Sequence, residues 1–217
     1  MDAQDKYWGA VAYQKKFAHP LLIDEFEKHV NPESPILDYG CGYGRSIREL
    51  HARGFANLFG VDYSSGMIGR ARKENPFARY VRNSGSDIPF SDSSFDAVLL
   101  LAVLTCIPDS NEQSRLFSEL YRVLKDGGIL YLSDLLINSN RRNQGRYKRF
   151  EPKYECYGVF ELEEGATLRH HTREYLERLA SSFKTIYQQE FQVETMNGHK
   201  SRAIRMIFRK WPYDLNA

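Results

Sequence analysis

The apolar positions of the chain alternate between short, continuous runs and longer segments in which apolar residues recur every three or four positions. Continuous runs are typical of buried parallel strands, and the longer spacing is typical of amphipathic helices. The runs predict five strands: PILDY, ANLFGVD, ARYVRN, FDAVLLLAV and GILYLSDLLI. Because helical segments separate most of these runs, the pattern predicts a parallel sheet with helices on both faces.

The helical segments have recognisable ends. Pro20 suits the first turn of HPLLIDEFEKHV, and Gly54 is a typical stop after YGRSIRELHARG. Ser64 is placed to cap SSGMIGRARKEN, and NEQSRLFSELYRVLK predicts a further amphipathic helix before DGG. The first of these segments precedes the first predicted strand, and the other three lie between predicted strands.

The last part of the chain departs from the alternation. TREYLERLASS predicts a helix capped by Thr172, and FKTIYQQEFQVET and SRAIRMIFRK predict two long strands joined through MNGH. Asn-Gly is a strong hairpin signal. We therefore predict an α/β fold with a Rossmann-like, seven-stranded, mostly parallel sheet that finishes in an antiparallel hairpin.

About 34 residues, 138–171, separate the fifth strand from the last helix. Connections longer than ~12–15 residues usually have a function or structure of their own. We predict a single domain over residues 1–217, in which residues 138–171 form an insertion that caps the ligand-binding edge of the sheet.

Composition narrows the class of protein. The length of 217 residues suits one domain, and the net charge of +2 is too small to predict nucleic-acid binding. Cys41, Cys106 and Cys156 are odd in number and far apart, which argues against disulfides and zinc knuckles. The sequence has no apolar run of ~20 residues and no signal peptide at its start, so we expect a cytoplasmic protein without a membrane segment. The charge is uneven, since RRNQGRYKRFEPK holds six basic residues and one acid, a pattern most often found on a solvated surface.

The stretch LDYGCGYGRS places three glycines between a strand and a helix. It lacks the lysine of a phosphate-binding P-loop and fits the Gly-x-Gly-x-x-Gly pattern of dinucleotide sites poorly. What remains is Gly-x-Gly-x-Gly, with Asp62 ending the next strand 22 residues after Gly40. Glycines allow a ligand to approach the backbone, and an acid at that position can accept both hydroxyls of a ribose. The pattern indicates a ribose-bearing ligand with a small charged end.

With these motifs in order, the sequence resembles the class I S-adenosylmethionine-dependent methyltransferases, in the style of the small-molecule enzymes of ubiquinone and menaquinone biosynthesis. The resemblance covers residues 34–134 and rests on ILDYGCGYG, VDYSSGMI, GSDIPFSDSSFDAVLLLAVL and ELYRVLKDGGILYLSD. It implies S-adenosylmethionine as the cofactor and S-adenosylhomocysteine as the product. The implied cofactor-binding residues are Asp38, Gly40, Cys41, Gly42, Gly44, Asp62, Tyr63, Met67, Asp87, Ile88 and Leu101.

The resemblance also assigns roles within that set. Asp38 and the glycine loop would hold the methionine end, and Asp62 would bind the ribose. Asp87 would accept from the adenine amino group, and the N–H of Ile88 would face an adenine ring nitrogen. Leu101 would line the cavity near the sulfonium, and residues 1–30 would form a helical lid over the cofactor.

Three segments can reach the acceptor: the N-terminus, TCIPD after the fourth strand, and the insertion ending in LRHHT. TCIPD differs from the motifs of amino-directed and cytosine-C5 nucleic-acid methyltransferases. Arg169 and one adjacent histidine would face the cleft, and arginine recognises carboxylate or phosphate. The candidate substrate-binding residues are Tyr7, Tyr13, Thr105, Cys106, Tyr147, Arg169, His170 and His171.

We therefore predict an enzyme that methylates a small, anionic metabolite. Methyl transfer from a sulfonium needs alignment more than acid–base chemistry, so the sequence predicts no catalytic dyad. Adjacent histidines without a third ligand predict no metal site. Two alternatives stay open: an RNA methyltransferase that uses the basic insertion, and a noncatalytic S-adenosylmethionine-binding protein. The acceptor atom and the choice between monomer and homodimer also stay open.

Overall fold

The structure of the protein is a computed structural model, and it describes residues 7–9, 19–83, 85, 87–196 and 198–211. Its helices are α1 (Ile23–Phe26), α2 (Arg45–Ala52), α3 (Ser65–Glu74), a 3-10 helix (Leu104–Cys106), α4 (Ser110–Val123), α5 (Arg141–Tyr154) and α6 (Arg173–Leu179). Its strands are β1 (Ile36–Tyr39), β2 (Leu58–Asp62), β3 (Arg79–Arg82), β4 (Phe95–Leu101), β5 (Leu124–Leu135), β6 (Val159–Glu161), β7 (Thr167–Arg169), β8 (Phe183–Glu194) and β9 (Lys200–Lys210).

Seven strands form one sheet in the order β3-β2-β1-β4-β5-β9-β8. The first five strands of that order run parallel, and β9 pairs antiparallel with both β5 and β8. The predicted fold class is confirmed. The order reverses between β1 and β4, and in open α/β sheets ligands bind at this reversal, beyond the carboxyl ends of the strands.

The sheet is buried on both faces. Along β4, Val98 and Leu100 belong to the core under α4 and α6, whereas Ala97 and Leu99 belong to the core under α1, α2 and α3. Successive strand residues point to opposite faces, so a strand covered on both sides has to be apolar throughout. This is why FDAVLLL reads as a continuous apolar run.

The insertion at residues 138–171 folds into α5 followed by the β6–β7 hairpin. Asn138 fixes its beginning to the sheet, because its side-chain amide donates to Leu136 O and Ser201 Oγ and its Oδ1 accepts the N–H of Arg202. The Asn140 side chain caps α5 by accepting the N–H of Asn143. The basic block of the sequence therefore lies on a capped helix.

Two element boundaries differ from the sequence prediction. The first helix is limited to Ile23–Phe26, since Leu22 offers no side-chain cap and its N–H is donated to the hydroxyl of Tyr131 on β5. The fifth strand begins directly after α4 at Leu124, and the ladder with β4 is irregular where Gly127 adopts a positive φ of 78°. Among the described residues, none of the helices has the length and apolar character needed to cross a bilayer.

Gly60 on β2 provides a test of how tightly the sheet packs beneath the glycine loop. A Cβ at this position would lie 2.7 Å from the Tyr80 ring and 2.9 Å from Cys41 Sγ. We expect Gly60→Ala to lower the free energy of unfolding by ~1–3 kcal/mol, the usual cost of overpacking. A Cβ on Gly69 in α3 would meet no atom within 4 Å, so Gly69→Ala should stabilise by roughly 0.5–1 kcal/mol. Urea unfolding measures both variants, and equal effects would contradict the packing argument.

Candidate functional site

A cavity of about 760 Å³ lies at the carboxyl edge of the sheet. Its walls include Tyr7 and Trp8 near the N-terminus, the turns after β1, β2 and β4, the insertion, and the β8–β9 turn. The predicted acceptor segments therefore converge on one cavity with the predicted cofactor loop.

The glycine loop is shaped by close approach of its neighbours. Gly40, Gly42 and Gly44 have positive φ values of 73°, 53° and 80°. A Cβ on Gly40 would lie 2.4 Å from a methyl group of Val103, and one on Gly44 would lie 2.7 Å from the Asn75 amide. Gly40 and Cys41 line the cavity, whereas Gly42 and Gly44 are absent from its wall. Gly42 and Gly44 are thus needed for the conformation of the loop.

Asp62 ties the loop to the end of β2. Its Oδ2 accepts the N–H of Gly42 at 2.8 Å, and its Oδ1 accepts the N–H of Ser64 at 2.8 Å. The carboxylate also lines the cavity. Because each oxygen has a further lone pair, the carboxylate can accept additional hydrogen bonds from a ligand while it holds the loop.

Asp38, at the end of β1, is a second acid on the wall of the cavity. Burial raises the pKa of its carboxyl to about 7, against the opposing effect of Arg45, and nearby Asp62 raises it further. A buried acid of this kind ionises when a cation binds beside it. Asp38 is thus suited to an ammonium group.

The donor and acceptor set fits the predicted cofactor. Asp38 and Asp62 would repel a pyrophosphate but attract a ligand with a positively charged amino acid end and a ribose. Tyr63, Met67 and Leu101 line the same cavity and offer apolar and aromatic surface. The arrangement therefore favours S-adenosylmethionine over a dinucleotide.

The predicted adenine contacts are less direct. Asp87 is exposed, Ile88 is buried, and both are absent from the cavity wall. The N–H of Ile88 is donated to Glu119 at 2.9 Å, so in this structure it is not available to an adenine nitrogen. Asn83 and Gly85 in the preceding segment do line the cavity.

On the acceptor side, Tyr7, Thr105, Cys106 and His170 line the cavity as the sequence predicts. Tyr13 lies outside the described residues. The remaining candidates, Tyr147, Arg169 and His171, are buried and absent from the wall.

The side chain of Arg169 makes contacts within the fold and does not line the cavity. Its guanidinium donates to Pro108 O at 3.0 Å and to Ser110 Oγ at 2.9 Å, and it stacks on the Tyr175 ring. It is therefore absent from the wall of the cavity. The prediction that it faces the acceptor was wrong, because β7 directs this side chain toward the start of α4.

The side chain of His171 also makes contacts within the fold. The amide of Gln113 donates to its Nε2 at 3.0 Å, so Nδ1 carries the proton and points toward Asp134, 3.9 Å away. Burial and Arg169 lower the pKa of His171 to about 3, while burial raises that of Asp134 to about 7. Among the described residues, no cluster of three or more His, Cys, Asp or Glu side chains could hold a metal ion.

His170 is oriented by Tyr147, which connects that buried tyrosine to the cavity. The Tyr147 hydroxyl lies 2.6 Å from Nδ1 of His170 and accepts the N–H of Asn138, so its own proton is directed at Nδ1. Nδ1 is then the acceptor, and the neutral ring carries its proton on Nε2. Burial and Arg146 keep the pKa of His170 well below its ordinary value. His170 therefore presents an uncharged N–H donor.

Arg146 on α5 lies on the cavity wall together with His170. Its guanidinium lies 3.4 Å from the centroid of the Phe160 ring, and its buried Nε has no hydrogen-bond partner among the described residues. Burial lowers its pKa to about 10. Arg142, one helical turn earlier, lines the same cavity. Two guanidinium groups of α5 thus line the cavity.

The family model described as a methyltransferase domain matches residues 37–132. An uncharacterized methyltransferase from Synechocystis is 37% identical over 56% of this chain and 56% of its own length. A cycloartenol-C-24-methyltransferase from rice is 29% identical over 65% of this chain and 41% of its own length. The chain thus spans about half the length of the curated relatives it matches.

Among solved structures, an S-adenosylmethionine-dependent methyltransferase from Methanosarcina mazei has a TM-score of 0.83 and 29% identity. The match covers 88% of this chain and 98% of that one, which is more of the chain than the family model matches. Residues 37–132 therefore form a methyltransferase domain, and the chain has the fold of S-adenosylmethionine-dependent methyltransferases. The domain match and the structural similarity confirm the cofactor and the methyltransferase class predicted from the sequence.

Several lining residues of this methyltransferase have no signal in the sequence. The β8–β9 turn contributes Thr195, Met196 and His199, and His19 precedes α1. His19 is held by a 2.7 Å bond between its Nε2 and Ser133 Oγ. Only the antiparallel position of β9 beside β5 brings the turn to the cavity, and no local pattern predicts that.

The carboxylate of Asp62 provides the first test of the cofactor site. Asp62→Ala should weaken S-adenosylhomocysteine binding at least about tenfold, since a hydrogen bond to a charged group contributes ~1.5–3 kcal/mol. The melting temperature should fall as well, because the N–H groups of Gly42 and Ser64 lose their acceptor. Calorimetry measures the affinity, with Asp92→Ala at an exposed acid as control. A folded Asp62→Ala protein with unchanged affinity would contradict this assignment.

Asp38 predicts a pH dependence of binding. Its pKa of about 7 is raised above the ordinary value, so the carboxyl is mostly protonated below pH 7 and must lose a proton to pair with an ammonium. Affinity for S-adenosylhomocysteine should therefore be roughly tenfold lower at pH 6 than at pH 8. Asp38→Asn should bind weakly and without this slope. An equal slope in wild type and Asp38→Asn would show that another group titrates.

Proposed function

We propose that this protein transfers a methyl group from S-adenosylmethionine to a small acceptor that carries a negatively charged group. When bound, S-adenosylmethionine supplies an activated methyl group, and its transfer leaves S-adenosylhomocysteine. The cavity of about 760 Å³ is of the size that holds small ligands, since such pockets usually measure ~300–1,000 Å³.

The position of Arg146 is the observation that supports a negatively charged acceptor. A guanidinium that is partly removed from water, stacked on Phe160 and without a carboxylate partner among the described residues is held at a cost in free energy. An anionic ligand would offset that cost through paired, charge-assisted hydrogen bonds. Several relatives are named as sterol methyltransferases, but a neutral sterol would leave Arg146 unpaired.

The chain's own groups contribute orientation and the exclusion of water. Tyr7, Tyr43, Met67 and Ala166 form an apolar cluster, with Trp8, Leu162 and Leu168 packed against it. This cluster joins the N-terminal segment, the cofactor loop and the β6–β7 hairpin. A covered site holds nucleophile and methyl group in line and keeps water from competing.

His170 would hold the acceptor by hydrogen bonding. With Tyr147 donating to its Nδ1, the ring presents Nε2–H to the cavity and stays neutral across the ordinary pH range. It can therefore orient an oxygen or nitrogen lone pair of the acceptor. Activity should show no titration of His170 between pH 6 and 8.

A screen for the acceptor tests this proposal. Labelled S-adenosylmethionine is incubated with a metabolite extract, and methylated products are separated on an anion exchanger. We expect label in the retained, anionic fraction. Once the acceptor is isolated, Arg146→Ala should lower kcat/KM at least about tenfold, because truncating one partner of a buried charge pair typically costs ~2–5 kcal/mol.

Lys148→Ala is the matched control, since Lys148 is exposed on the same helix and is absent from the cavity wall. S-adenosylhomocysteine affinity should be unchanged in both variants. Label confined to neutral products, or full activity of Arg146→Ala, would contradict an anionic acceptor.

A further inference from the structure

A second cavity, the outer cavity, borders the first along α5. Its volume is about 850 Å³, and it is lined by Arg141, Arg142, Arg146, Arg149, Phe150 and residues 161–163. Arg142 and Arg146 line both cavities, so the two spaces share a wall of guanidinium groups. The two cavities are therefore neighbours, and these two side chains lie between them.

The positive charge of the outer cavity is not balanced by the protein. Within the described part of the chain, none of its four arginines forms an ion pair with a carboxylate. Of the two acids on its wall, Glu161 already accepts from Lys153 Nζ and the Tyr154 hydroxyl, which leaves Glu163. The outer cavity thus has an excess of cations that an anionic ligand would neutralise.

The placement of two of these arginines is unfavourable for the helix itself. Arg141 and Arg142 lie in the first turn of α5, which contains no acidic residue. Cations interact unfavourably with the positive end of a helix dipole. Arg141 and Arg142 thus break a local preference of helices and gain no ion pair within the described residues. Such a departure is expected to have a functional reason.

We infer that the outer cavity binds a phosphate group of the acceptor, an inference that rests on the proposed methyl-transfer function. A single carboxylate would be satisfied by one guanidinium, whereas a phosphate monoester carries a charge of about −1.5 to −2 and three acceptor oxygens. Arg142, Arg146 and Arg149 are spaced to lie on one face of α5, which suits such a dianion. The acceptor is accordingly a phosphorylated metabolite whose nucleophile lies in the inner cavity.

An RNA strand shares the phosphate chemistry but fits these observations less well. A bound strand needs a continuous basic groove with aromatic side chains that stack on successive bases. Here the wall of the outer cavity includes Glu161 and Glu163, which would repel a run of phosphates. A single, terminal phosphate needs only the guanidinium groups of Arg142, Arg146 and Arg149.

Inorganic pyrophosphate is the probe for this site. It is titrated calorimetrically into the protein saturated with S-adenosylhomocysteine, in a buffer free of other multivalent anions. We expect saturable binding that weakens roughly tenfold in Arg142→Ala and in Arg149→Ala. Both side chains are exposed, so the fold should be retained. Lys148→Ala, which removes the same charge from a position outside both cavities, should bind within about twofold of wild type.

The outcomes separate this inference from the proposed function. Absence of pyrophosphate binding, or an equal loss in Lys148→Ala, would overturn the phosphate site while leaving S-adenosylhomocysteine binding intact. A labelled RNA oligonucleotide that binds with steep salt dependence and is not displaced by pyrophosphate would assign the arginines to nucleic acid instead. Failure to bind S-adenosylhomocysteine would count against the methyltransferase proposal and not against the phosphate site.

Discussion

The site depends on two hydrogen bonds from backbone N–H groups to one carboxylate. Asp62, at the carboxyl end of β2, accepts from Gly42 in the cofactor loop and from Ser64 at the start of α3. The parallel register places Asp38 of β1 beside Gly60, two residues before Asp62. Loop, strand end and helix start are thereby fixed relative to one another before any ligand binds, which is the preorganisation that a transfer reaction requires.

The insertion adds the features specific to this chain. Asn138 fixes its start to β9, and Tyr147 connects α5 to His170 at its end. Between these two points, α5 presents arginines to the cavity and the β6–β7 hairpin covers the cofactor loop. The shared sheet thus explains the cofactor, and the insertion carries the chemistry that we assign to the acceptor.

The sequence predicts the sheet well because the signals for it are local. The apolar run of β4, the cap at Ser64 and the Asn-Gly hairpin each depend on a few adjacent residues, and the structure contains all three elements. The glycine loop and Asp62 are predictable for the same reason. Their functional roles come from the family resemblance.

The acceptor side was predicted less well because it depends on contacts between distant segments. Arg169 was predicted to face the cleft because it precedes α6. The direction of β7 instead brings its guanidinium to Pro108 O and Ser110 Oγ. The sequence places Arg146 in a charge block that is typical of a solvated surface. In the structure, Arg146 is partly buried and lies over the ring of Phe160. The β8–β9 turn reaches the cavity only through its position in the sheet. Direction and burial of this kind cannot be derived from spacing alone.

The apolar cluster of Tyr7, Tyr43, Met67 and Ala166 has a consequence for the timing of turnover. Its side chains come from four separate parts of the chain, and Tyr7 and Met67 among them border the cavity, so a product that leaves on this side has to open some of these contacts. Exposing one large apolar side chain costs ~1.5–3 kcal/mol, which is small enough for repeated opening but large enough to keep the open state a minority. Opening of this cluster is thereby a candidate for the step that limits departure of the spent cofactor.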